Sequence, residues 1–215
     1  MAMDTQAGHR QQRRKQRTRD AIQDAALTLF AGRGYRVTTM NAIAEAADVA
    51  PRTVTFHFPT KADLLFGADP FTRESLEARL NSRAEGESTL AALRDWMVAT
   101  MLELSSEAPE AQRRVWRRRA LRAQVIGSDD ELRARARAGY YPYEQLIAAH
   151  LADDLGLPAD ALVPRLAAAT SVTGLRELYQ THEVESSDAA ESTDALIALV
   201  DQVLAFAEAG IETTR

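Results

Sequence analysis

Residues 39–65, TMNAIAEAADVAPRTVTFHFPTKADLL, decide how this chain is read. Thr39 is placed to cap a short helix through its hydroxyl. In MNAIAEAA, Ile43, Ala44 and Ala47 turn inward, and the small alanines let another helix cross closely. A turn at Asp48-Val49 follows. Ala50 and Pro51 then open a third helix, proline's fixed φ suiting the first helical position. Thr60, with Asp63 three residues on, starts a fourth helix in the manner of a capping box. Residues 39–58 therefore read as helix, tight turn, helix.

On a helical wheel, Arg52, Thr55 and Phe56 fall within about 100° of one another. Val54 and Phe58 fall on the opposite side and form the core face, with His57 at the edge. A short helix after a tight turn, with Arg, Thr and Phe facing outward, has the pattern of a major-groove recognition helix. Arginine can bond a guanine bidentately, and Thr and Phe can touch a thymine methyl or a phosphate. Lys61, at the next helix start, is expected beside the DNA backbone.

Upstream, Ile22, Ala25, Ala26, Leu29 and Phe30 recur at helical spacing and make one apolar face, which ends at Gly32 and Gly34. Before them, RQQRRKQRTR (10–19) has no apolar residue and reads as a mobile basic arm. Residues 1–65 hold ten Lys/Arg and six Asp/Glu, whereas the rest of the chain is strongly acidic. A basic head on an acidic body points to a polyanionic partner for the head; a solubilising tail is the plain alternative.

Downstream, helical periodicity fills segments near 70–83, 88–106, 109–126, 129–153, 159–181 and 189–209, separated by breakers such as GSDD, GLPAD and VESSD. No strand-like alternation stands out, so the expected fold is all-α. The 215 residues suffice for one good-sized core or two small ones. No apolar run reaches the roughly 20 residues of a membrane span. The N-terminus lacks the apolar segment of a signal peptide, and the chain has no cysteine. Export is not expected, and a cytoplasmic location fits. His9, His57, His150 and His182 lack metal-site spacing. No catalytic set, metal site or cofactor is expected.

The run TRDAIQDAALTLFAGRGYRVTTMNAIAEAADVAPRTVTFHFPTKADLL resembles the DNA-binding head of the TetR/AcrR family of bacterial repressors along nearly all its length. The resemblance rests on the TR…I..AA..LF…GY first helix, the second-helix TTM..IA..A, then V.P.T…HF and K..LL. It implies a three-helix helix-turn-helix head, residues 17–65, preceded by a basic arm, 1–16, and followed by a helical effector-binding and dimerisation body, 66–215. It further implies a homodimer on a palindromic operator in double-stranded DNA, a repressor released by a small-molecule effector. Residue by residue, Thr39, Thr55, His57 and Lys61 would lie near phosphates. Pro51, Arg52, Thr53 and Phe56 would lie toward base edges. Arg17, Thr18 and Arg19 would approach the backbone, and the arm a minor groove.

Three positions depart from the family pattern. Asp48 stands where glycine is usual, and aspartate tolerates the left-handed conformation better than most residues. Ala50 stands where Ser or Thr usually caps, at a cost of about 1 kcal/mol. Thr55 replaces a tyrosine and its longer phosphate-reaching hydroxyl.

In the body, Trp96, Met97, Met101, Trp116, Tyr140 and Tyr143 are core residues by default. They can equally line an effector pocket, with Arg119, His150 and Thr170 as polar contributors. A small apolar or acyl-type effector fits that composition. The run RRVWRRRALR (113–122) reads either as a solvated helix face, as a second nucleic-acid patch, or as the source of an arginine facing an anionic ligand. Stripes at 163–178 and 196–207 suit burial within one chain or a two-fold four-helix interface built from the last two helices. The alternatives to a ligand-relieved repressor are an effector-independent DNA-binding factor of the same fold and, more remotely, an all-helical enzyme.

Overall fold

The computed structural model describes residues 2–67, 70–106, 109–181 and 189–214; within these, side chains are not described for residues 2–7, 9, 105, 106, 109, 112, 116, 179–181 and 189–192. The VESSD break lies outside the described residues. The described residues contain helices and no strand, so the fold is all-α. The helices are α1 (Ala2–Arg33), α2 (Met40–Ala46), α3 (Pro51–His57), α4 (Lys61–Phe66), α5 (Arg73–Asn81), α6 (Thr89–Ser106), α7 (Pro109–Gly127), α8 (Asp130–Leu155), α9 (Leu162–Thr181) and α10 (Ala189–Thr213). They form two compact units: residues 1–69 with 121–132, and residues 70–120 with 133–215.

The first unit is built on α1. Ile22, Ala26, Leu27 and Phe30 are buried, with Ile43 and Ala44 from α2, Val54 and Phe58 at α3, and Leu64 and Leu65 from α4. Full burial of each large side chain contributes about 1.5–3 kcal/mol. The three expected local signals hold. The Thr39 hydroxyl accepts from the Ala42 N–H, Pro51 opens α3, and Thr60 and Asp63 form a reciprocal capping box. Ala50 provides no side-chain cap. Between α2 and α3, Asp48 takes the left-handed conformation at φ 52°. The Val49 N–H donates to the Ala44 carbonyl and the Asp48 N–H to that of Glu45, at 3.0 and 3.2 Å. This is a Schellman ending with aspartate in the usual glycine place.

The basic segment 10–19 is part of α1 and not a mobile arm. Arginine, glutamine and lysine are good helix formers, and extending an existing helix avoids the cost of nucleating a new one.

In the second unit, Leu76, Leu80, Leu93, Met97, Met101, Ile147, Leu151, Ala168, Leu196 and Val200 belong to one buried cluster. Helix α10 packs on α9 and α6. At Gly174 a Cβ would stand 2.6 Å from Cγ1 of Val203, so the α9–α10 crossing leaves no room for a side chain there. Arg94 of α6 grips Asp201 of α10 through Nε and Nη2 at 2.6 and 3.1 Å. Arg83 Nη1 bonds Asp154 of α8 at 2.6 Å, and the other Asp154 oxygen accepts from the Thr89 N–H at the start of α6.

Candidate nucleic-acid interface

The seven residues of α3 divide by burial as the wheel requires. Val54 is fully buried, and Phe58 just after the helix nearly so. Pro51, Arg52, Thr55 and Phe56 are exposed, and Thr53 is half-buried. Phe56 is 71% exposed, which is unusual for a phenylalanine on a helix of a packed unit. The Thr55 hydroxyl donates to the Arg52 carbonyl at 3.1 Å, so its methyl is left as the outward group. Lys15 Nζ stands 5.5 Å from the centroid of the Phe56 ring. Val37, 70% exposed ahead of α2, adds a second apolar surface residue. Sequence reading singled out neither. Lys15 was one charge among many in the arm, and Val37 belongs to no helix whose wheel would place it.

Other residues expected at the DNA have structural work within the head. Lys61 Nζ donates to the carbonyls of Tyr35, Arg36 and Thr38 at 2.7, 3.2 and 3.2 Å. It also lies 4.4 Å from the Tyr35 ring centroid. An ammonium has three N–H donors, and all three are taken, so Lys61 pins the loop before α2 and its side chain is not held out for a phosphate. Arg19 donates to the carbonyls of His57 and Gly67 at 2.9 and 3.2 Å and stacks over Phe58. It ties α1 to the ends of α3 and α4. Thr18 bonds back to the Arg14 carbonyl at 3.1 Å. The Thr39 hydroxyl caps α2 from an exposed position, and Arg17 is exposed. Burial lowers the pKa of His57 below its ordinary value, with Lys15 and Arg19 adding to the effect.

An ion pair closes the first unit. Arg36 Nε and Nη2 reach the two oxygens of Asp129 at 2.8 and 3.4 Å, and Nη2 reaches Glu131 at 3.2 Å. Asp129 also caps α8, accepting from the N–H groups of Glu131 and Leu132. The Arg36 hydrogen bond, followed by the Leu132 N–H, lowers its carboxyl from 3.8 to about 2. A carboxylate depressed in the folded state stabilises fully above its unfolded pKa and loses that contribution as pH falls through the folded one. The melting temperature of the native chain should therefore exceed that of Asp129→Asn by a constant margin above about pH 5. The margin should shrink between pH 4 and 2. A margin independent of pH would show that the carboxylate charge is not what matters.

The body residues expected to line a pocket are only partly brought together. Phe71, which sequence reading missed, is their meeting point. Its ring meets Trp96 edge-on at 5.4 Å, and the Arg119 guanidinium lies over it at 4.7 Å. Tyr143 donates to its carbonyl at 3.1 Å. Trp96 Nε1 donates to the Ser75 hydroxyl. Met97 and Met101 are buried in the same cluster, and Tyr140 packs against it. His150 stands apart beside Arg83, Nδ1 lying 3.4 Å from Nη2. Thr170 is misplaced in that set. It lines an open groove of about 590 Å³ on α9 and α10 with Leu166, Ala169, Thr173, Gly174, Gln202, Val203 and Phe206. Small residues on α9 suit a pocket wall and a helix-packing face equally, which is why its spacing did not separate the two.

A helix, a left-handed turn and a second helix whose outer face carries Arg52, Thr55 and Phe56 define a helix-turn-helix head, here joined to a helical body. Residues 22–68 match the family described as bacterial regulatory proteins, tetR family, and residues 87–211 match the MftR C-terminal domain. The chain belongs to the TetR family of bacterial regulatory proteins. It is 40% identical over 82 residues to the HTH-type transcriptional regulator TcmR of Streptomyces glaucescens, a match spanning 38% of this chain and 36% of that protein. Its fold is shared with SmeT of Stenotrophomonas maltophilia in a triclosan complex, at 24% identity and a TM-score of 0.56, covering 87% of this chain and 90% of SmeT. NalD of Pseudomonas aeruginosa, a repressor of the MexAB-OprM efflux pump, aligns at 23% identity and a TM-score of 0.54, covering 87% and 95% of the two chains.

Proposed function

We propose that the chain is a transcriptional repressor that binds a palindromic operator as a homodimer and is released by a small apolar effector. The observation that carries this reading is the outer face of α3, where Arg52, Thr55 and Phe56 are exposed while Val54 is buried. That arrangement offers a bidentate donor for a guanine and apolar groups for a thymine methyl. Dimerisation is assigned to the α9–α10 groove, which exposes Leu166 and Phe206 on a helical face. The effector is assigned to the region around Phe71, where an aromatic pair, buried methionines and a guanidinium adjoin. The similarity to a protein solved with triclosan supports an apolar, partly aromatic ligand. An effector shifts the dimer away from the arrangement whose recognition helices match major grooves about 34 Å apart. The role is regulatory and not enzymatic, and the location is the cytoplasm.

One observation favours the effector-independent reading: the polar ends of Trp96 and Tyr143 are both bonded within the protein. A screen of lipophilic compounds for release of bound DNA separates the two.

The test of the DNA reading is Arg52→Ala. An operator is first recovered by the native chain from a random pool of duplexes. The variant should bind it about 10–100-fold more weakly and lose preference at one base pair in each half-site. Unchanged base preference would remove Arg52 from the reading face.

A further inference from the structure

The last residue of α3 is a histidine set among cations. The His57 ring meets Phe56 edge-on at 5.3 Å between centroids, and Lys15 Nζ stands 5.5 Å from the centroid of Phe56. Arg19 donates to the His57 carbonyl at 2.9 Å and lies over Phe58, the next residue. His57 itself is half-buried. The charges that act on its imidazole are Lys15 and Arg19, both from α1, and no carboxylate is among them. The charged groups of α4 are turned elsewhere: Lys61 donates to the loop carbonyls ahead of α2, and Asp63 accepts from the Thr60 N–H. Arg52, the other charge on α3, stands at the opposite end of that helix.

Burial first, then Lys15 and Arg19, disfavour an imidazolium here. The free head therefore keeps the ring neutral to a lower pH than an unhindered histidine. Bound DNA reverses the sign of the surroundings. A helix is about 10–12 Å across and the major groove about 12 Å wide. A helix lying in that groove turns its outer face to base edges and its flanks to the phosphates on either side. His57 follows Phe56 by one residue, about 100° round the helix, which puts it on a flank between the outer face and the Val54 side. An anion within about 4–6 Å favours the charged form of a titratable group. An imidazolium also offers two N–H donors to phosphate oxygens where the neutral ring offers one.

We propose that His57 couples operator binding to the proton: the head takes up a proton at this ring as the complex forms, so the operator is held more tightly as pH falls. This rests on the DNA-binding reading above and adds a regulation of that site. The added affinity is fully present below the pKa of the free head and is lost as pH rises through that of the complex. Between the two, log affinity falls by up to about one per pH unit for each head. A fall in pH thus tightens the same complex that an effector loosens.

The test compares the native chain, His57→Gln and the permanent cation His57→Lys, each confirmed as folded by circular dichroism and melting. Each is titrated on the operator recovered by the native chain from about pH 8 to 5.5, where imidazoles change charge and ordinary carboxylates do not. Native affinity should rise by about 10–100-fold for two heads together. Its salt slope should be steeper at the acid end by up to about 0.9 per head. His57→Gln should lose both effects, and His57→Lys should show the steeper slope at every pH. Calorimetry of the native chain in two buffers of different ionisation enthalpy counts the protons taken up without any substitution. No net uptake, or the same pH dependence in His57→Gln as in the native chain, would overturn the proposal while leaving the α3 reading intact. A dependence that survives in His57→Gln would belong to another group, such as His150. If the native chain recovered no duplex at all, the DNA reading itself would fail and this inference with it.

Discussion

With dimerisation proposed at the α9–α10 groove, Phe206→Asp should yield a monomer and lower operator affinity by about 10²–10⁴-fold. Phe206 is 72% exposed on α10 and lines the open groove with Leu166 and Val203. A carboxylate there costs the isolated chain little, because the position is already in water. In a dimer the same charge would be buried without a partner, which is strongly destabilising. Each half-site would then be held by one head, and the gain from a tethered second binding event would vanish. Val203→Asp is the poorer choice, because Val203 packs within the chain where α10 crosses Gly174, so its replacement confounds folding with assembly. Light scattering gives the mass, and circular dichroism shows whether the monomer is folded. A folded Phe206→Asp dimer with native affinity would place the interface elsewhere.

Lys61→Met should destabilise the head by about 2–3 kcal/mol while leaving the salt slope of DNA binding unchanged. Methionine keeps most of the stem and removes the ammonium. Three carbonyls, those of Tyr35, Arg36 and Thr38, then lose their donor. For a protein of this size the melting temperature should fall by about 4–10 °C. A phosphate contact would give the opposite pattern: unchanged melting, equally weaker binding to operator and scrambled DNA, and a slope lower by about one unit. Calorimetry and a salt titration on the same preparation decide between the two.

The contrast at Lys61 shows how far the sequence could be read. Signals that act over three or four residues were legible. The Thr39 cap, Pro51 at the start of α3 and the Thr60–Asp63 box each fix a helix end by themselves. The α3 wheel was legible because Val54 and Phe58 have one apolar direction to follow. Lys61 and Arg19 were not, because a wheel gives the direction in which a side chain leaves and says nothing of carbonyls 20 to 40 residues away. Phe71 was missed because it stands at the edge of the 70–83 segment, just ahead of α5, where a helical wheel gives its side chain no direction. The extension of α1 was missed because it has no apolar face, although its propensities alone favour helix.

Residues 121–132 cluster with residues 1–69, although the intervening chain belongs to the other unit. Val125, Ile126 and Leu132 are buried there, and Asp129 holds Arg36. The head is thus a discontinuous object assembled from two stretches of the gene. A recombination that joined a foreign head to this body at a single crossover near residue 69 would separate partners that fit one another. Grafting operator specificity between relatives would need two exchanges, the second carrying a dozen residues that the DNA-facing helices never reveal. Inheritance of the two stretches is tied in the same way: a change at Arg36 alters which residues can be kept at 129 and 131.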